Sequence, residues 1–95
     1  MEWRFDQEKN VAAISTRQVC VENFPILLVV HYSEDHSWAF TCGITNKSED
    51  MLVVNMGEIV EKDSSLHEIA DLPPGWCAER NSACAEWRKY KDDSI

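Results

Sequence analysis

Ile26-Leu27-Leu28-Val29-Val30-His31-Tyr32 is the stretch on which the fold turns. It is rich in β-branched and aromatic residues and shows no polar–apolar alternation. A strand buried on one face alternates, whereas a continuous apolar run points to burial on both faces, so this segment reads as a central strand. Pro25 biases Phe24 towards an extended backbone. Downstream, Ser33-Glu34-Asp35-His36-Ser37 is a polar connection of hairpin length, and Trp38-Ala39-Phe40-Thr41-Cys42-Gly43 reads as the returning strand.

Upstream, residues 1–10 form a charged lead-in whose Trp3 and Phe5 are expected to pin it to the body. Val11-Ala12-Ala13-Ile14 reads as a short strand. Ser15 or Thr16 can cap a helical turn over Arg17–Glu22, which Asn23 ends. Asn46–Asp50 is a second polar loop. Met51–Asn55 favours a strand, and Met56, Ile59 and Val60 then take up helical spacing. Asp63-Ser64-Ser65 stops that helix, and Ser65-Leu66-His67-Glu68 has the form of a capping box opening another. Pro73-Pro74 ends it. Trp76–Glu79 and Ala85–Tyr90 read as two last extended segments around Asn81-Ser82, and residues 91–95 as a frayed polar tail. The expectation is a single α+β domain over residues 1–95: a small antiparallel sheet of roughly three to five strands packed with two or three short helices.

Composition excludes several function classes. The chain has 95 residues and 44% hydrophobic content, a normal share for one folded domain. Its longest apolar run, Phe24–Val30, is far short of the ~20 residues needed to cross a bilayer, and nothing resembles a signal peptide, so a cytoplasmic location is expected. Seventeen acidic against nine basic side chains give a net charge of −8. That balance disfavours nucleic acid and anionic membranes; it would attract a basic protein, although keeping a small protein soluble is its more ordinary role.

The four cysteines, Cys20, Cys42, Cys77 and Cys84, form no C-x-x-C pair and read as reduced thiols. A zinc site would need paired ligands at close spacing, which only His31 and His36 approach. The best thiol nucleophile would be Cys42 with His31 on the neighbouring strand. The acidic pairs fall in polar loops where solvated charge is the ordinary reading, and the three isolated glycines make no phosphate loop. No cofactor, metal or catalytic residue is assigned.

Binding remains. Four tryptophans are many for so small a core, and Trp and Arg are enriched at interface hot spots. Trp38 and Trp76 read as core anchors, Trp87 as the indole hardest to bury, placed either in the core or at an interface, and Arg80 as a recognition residue or a cation–π partner of an indole. The partner-binding candidates are Trp76, Arg80 and Trp87, joined by Glu58, Glu61 and Glu68 on the helices.

Four blocks carry a family resemblance: Ile14-Ser15-Thr16-Arg17-Gln18-Val19; Pro25-Ile26-Leu27; Gly57-Glu58-Ile59-Val60-Glu61; and Leu72-Pro73-Pro74-Gly75-Trp76 with Ala78, Arg80 and Trp87. Together, over roughly residues 11–88, they resemble a family of small bacterial proteins of unknown function that is similar to immunity proteins of polymorphic toxin systems. The resemblance implies a cytoplasmic, non-enzymatic α+β domain that binds and blocks a toxin, and it carries over no catalytic residue. Cys77 and Cys84 depart from its pattern, which counts against thiol chemistry. The leading expectation is therefore a binding protein whose acidic, aromatic-bearing surface covers a basic partner such as a toxin. The alternatives are a homodimer or larger homo-oligomer paired through the C-terminal segment, and a thiol- or metal-dependent enzyme.

Overall fold

The computed structural model describes residues 3–43 and 48–95, apart from the Ser48 side chain. Six strands form one sheet: β1 (Ala12–Thr16), β2 (Leu28–His31), β3 (Trp38–Thr41), β4 (Met51–Asn55), β5 (Trp76–Glu79) and β6 (Arg88–Lys91), in the order β4-β1-β3-β2-β5-β6. Two short helices, α1 (Arg17–Cys20) and α2 (Met56–Lys62), accompany it, with 3-10 turns at Ser48–Asp50 and Ser64–Ile69. The α+β class stands. The sheet corrects the expected antiparallel one of three to five strands in two ways. It has six strands, and it is mixed, because β1 runs parallel to β3 with Ile14 opposite Ala39. Nothing local distinguishes a strand that inserts beside a later one from a strand that pairs with its chain neighbour.

The β2–β3 hairpin forms as read, with Leu28 opposite Thr41 and His31 opposite Trp38. Its loop is held by Asp35, whose carboxylate accepts from Ser37 N (3.1 Å) and Ser37 Oγ (2.7 Å). The burial of β2 departs from expectation. Val29 and His31 are 0% and 1% exposed, while Leu28 and Val30 are only half-buried. The strand is central, yet among the described residues only one sheet face carries a layer of helix and loop.

Caps explain where the helices begin. The Thr16 hydroxyl accepts from Val19 N, and the Asn55 side chain accepts from Glu58 N at 3.2 Å, so each strand residue doubles as the N-cap of the helix that follows. The split of Met51–Glu61 into strand and helix at Asn55 holds. The capping box does not: Asp63 is the cap, accepting from Ser65 N and Ser65 Oγ, and the segment it opens is a 3-10 turn. A carboxylate two residues earlier outcompetes the Ser65 hydroxyl, which it binds instead. The loop expected at Asn46–Asp50 lies partly outside the described residues.

Pro73-Pro74-Gly75-Trp76 makes a tight turn closed by Trp76 N to Pro73 O at 3.1 Å. Pro74 fixes one central position and Gly75, at φ +88°, takes the other, the pattern of a type II turn. Residues 91–95 are tied down where fraying was expected. Lys91 closes β6, Asp92 N donates to Gly75 O at 2.9 Å, and Ser33 Oγ donates to Ile95 O at 2.6 Å.

The core lies between the helices and one sheet face. Phe5 (7% exposed) enters it from the lead-in, edge-on to Trp38 (centroids 5.0 Å apart) and Phe40 (6.1 Å). Behind them sit Val29, Met56, Ile59, Leu66, Ile69 and Leu72. Burying each such side chain contributes about 1.5–3 kcal/mol. The lead-in is further secured through Asp6, which accepts from Trp38 Nε1 at 3.1 Å.

Candidate functional site

The lead-in runs alongside the start of α2, so residues distant in sequence meet there. Two backbone bonds set the spacing: Met56 N donates to Val11 O and Gly57 N to Lys9 O, each at 2.9 Å. A Cβ on Gly57 would lie 3.2 Å from Lys9 Cβ and 3.3 Å from its carbonyl oxygen. Glycine at 57 is what allows the two segments to approach.

Between them opens a cleft of about 630 Å³ whose walls include Trp3, Lys9, Asn10, Asn55, Glu58, Glu61, Ser64 and His67. The Trp3 indole donates from Nε1 to Gln7 O (2.8 Å) and packs edge-on to His67 (5.8 Å), which in turn is tilted against Phe5 (5.8 Å). The ring is thus held from behind by core aromatics. Lys9 Nζ sits 5.6 Å from its centroid, a cation–π arrangement. Glu58 and Glu61, three apart on α2, share one helix side, and both are exposed. An aromatic wall that already carries an ammonium, rimmed by two carboxylates, suits the guanidinium or ammonium of a basic side chain. His67 presents no donor or acceptor to that cleft: both its ring nitrogens are buried and lack hydrogen-bond partners among the described residues.

The structure brings Glu58 and Glu61 together here and places the other candidates elsewhere. Glu68 is exposed on the 3-10 turn outside the cleft. Trp76 is half-buried on β5, packed against the core and opposite His31. Arg80 is 7% exposed and wholly engaged within the chain. Its Nε donates to Ile26 O (2.9 Å), one terminal nitrogen to Ser65 Oγ (2.9 Å) and Ala83 O (3.1 Å), and the other to Asp63 (2.5 Å). The guanidinium also lies 4.1 Å from the Trp87 ring centroid. Trp87, for which core and interface both stood open, is half-buried under that stack and packed against the core, with its Nε1 buried and unpartnered among the described residues. Arg80 and Trp87 together form a clasp that fastens the C-terminal hairpin to the body.

Sequence reasoning assigned Trp3 a packing role and missed Lys9. The signal was a tryptophan amid charged residues, but only the docking of residues 3–10 on α2 makes it a wall of the cleft.

The other chemistries fare as follows. Cys42 lies just beyond β3, whose last residue Thr41 is opposite Leu28 at the far end of β2 from His31, about 10 Å away at strand rise, so no thiol–imidazole dyad forms. His31 donates from Nδ1 to Leu72 O at 2.7 Å, stacks on Trp38 (centroids 4.0 Å apart) and turns Nε2 towards Asp6 at 3.7 Å. A carbonyl only accepts, so the Nδ1 proton is fixed. Burial pushes the Cys77 thiol above its ordinary range, only partly offset by a hydrogen bond with Tyr90, and so favours the unreactive protonated form. Among the described residues, no group of three or more His, Cys, Asp or Glu side chains is placed to hold a metal ion, and no helix is long and apolar enough to cross a membrane. No protein-family model, curated protein or solved structure matches the chain.

Proposed function

We propose that the chain is a non-enzymatic binding protein of the cytoplasm that neutralises a basic protein partner, in the manner of an immunity protein acting on a toxin. The observation that carries this reading is the cleft in which Trp3 holds the Lys9 ammonium beside Glu58 and Glu61. Lys9 stands in for a partner's cation: an incoming arginine displaces it, stacks on the indole and pairs with the α2 carboxylates. The net charge of −8 speeds the encounter with a positively charged protein, and the cleft gives that attraction a point of registry. Arg80 and Trp87 serve the site at a distance, by holding the body rigid.

The test is titration with a short arginine-rich peptide, followed by calorimetry and tryptophan emission at low ionic strength. The wild type is expected to bind. Glu58→Gln/Glu61→Gln, at exposed positions and so expected to leave the circular dichroism spectrum unchanged, is expected to weaken binding about tenfold or more. Equal binding by both proteins, or no binding by the wild type, refutes the reading.

A further inference from the structure

The strand register places Val53, Ile14, Ala39, Val30, Cys77 and Tyr90 in one row across all six strands, on the face turned away from the helices. Outward positions of a one-layered sheet are ordinarily polar; these are apolar. Ala39 and Cys77 are each only 3% exposed, yet neither belongs to the hydrophobic core cluster. They are small residues shaded by larger neighbours. Ile14, Val30 and Leu28 are half-buried and likewise stand apart from the core, and Val53 is 78% exposed. Among the described residues, no helix packs over this face. The unbroken apolar run of β2 follows from it: Val29 and His31 face the core, while Leu28 and Val30 face outward.

We infer that this face is covered by a second copy of the chain, sheet against sheet, in a symmetric dimer. Charge favours a like molecule here. The central row has no Asp, Glu, Lys or Arg, and in the adjoining row Glu79 and Arg88 pair with each other. Two chains of net charge −8 can therefore meet at their neutral faces with their acidic α2 surfaces pointing outward. A basic partner, by contrast, finds no free carboxylate in that row. Size sets the strength of the pair. Six strands spaced about 4.8 Å apart span about 25 Å, and four or five residues per strand add about 15 Å. In plan that is about 375 Å², below the ~600 Å² per partner of stable interfaces, so the pair is a weak one that forms only as concentration rises. Ala39 and Cys77 leave the middle of the face flat enough for sheets to stack about 10 Å apart. This surface is separate from the Trp3 cleft, so neither reading depends on the other.

Light scattering coupled to size exclusion, run on the whole chain over a wide concentration range, decides the matter. The wild type is expected to pass from monomer to dimer. Ile14→Thr/Val30→Thr keeps β-branching, and so the strands, while adding hydroxyls to the face. It is expected to raise the dimer dissociation constant about tenfold or more, with circular dichroism unchanged. Val53→Glu, at the exposed end of the row, serves as a second variant with little risk to folding and is expected to act in the same direction. A wild type that stays monomeric throughout, or a dimer indifferent to these substitutions, overturns the inference.

Discussion

Replacing Arg80 with methionine tests how the C-terminal hairpin is fastened. Methionine keeps much of the length and the apolar stem but removes every donor. Four hydrogen bonds vanish: those to Ile26 O, Ser65 Oγ, Ala83 O and Asp63. The side chain is 1% exposed, and that of Asp63 is 26% exposed. Breaking a buried pair from one side costs about 3–5 kcal/mol, because the remaining groups lose their partner in a poorly solvated place. A domain of this size has about 5–14 kcal/mol in total, so the variant should be severely destabilised yet measurable. Asp63→Asn, which retains an acceptor for Arg80, should cost less, about 1.5–3 kcal/mol. Lys89→Met, which breaks an exposed pair with Asp71, should cost at most about 1 kcal/mol. Urea unfolding followed by tryptophan emission ranks the three. The acid limb adds an independent check. Burial pushes the Asp63 carboxyl up, but hydrogen bonds from Ser65 and Arg80 outweigh it and hold the group below its ordinary 3.8. Its contribution is therefore complete above that value and is lost as the pH falls through the lowered one. Asp63→Asn should flatten this part of the curve. An Arg80→Met protein within about 1 kcal/mol of wild type, at an unchanged denaturant slope, would refute the clasp.

Two further outcomes follow from the geometry. Gly75→Ala meets no clash, since its new Cβ would lie 3.7 Å from Ser33 Cβ, but it places alanine at φ +88° and should cost about 1–2 kcal/mol in the same unfolding assay; a neutral result would mean the turn changes type freely. Among the thiols, exposed Cys84 should react fastest with a disulfide reagent at neutral pH, and buried Cys42 and Cys77 only on unfolding. Mass spectrometry of partly labelled protein reads this directly, and equal rates for Cys77 and Cys84 would contradict the burial assigned here.

Signals that act within a few residues were legible in the sequence. Pro74 and Gly75 dictate the turn before Trp76. Asn55 ends a strand and caps a helix because its side chain reaches Glu58 N. The β2–β3 hairpin follows from two apolar runs joined by a polar loop. Each of these rests on dihedral preference or on hydrogen bonds of three or four residues' span, which any chain carrying those residues would feel.

Other features belong to the whole molecule. That β1 lies between β4 and β3, parallel to the latter, is decided by which arrangement buries Phe5, Trp38 and Phe40 together. The same arrangement buries Arg80, which from sequence alone reads equally as a surface cation, and it assembles the Trp3 cleft from residues more than fifty positions apart. The apolar run of β2 shows the division most plainly. Composition alone determined that both of its faces are apolar. Only the tertiary structure decided that the described residues cover one of them, because the two short helices and the lead-in among them have surface enough for a single layer.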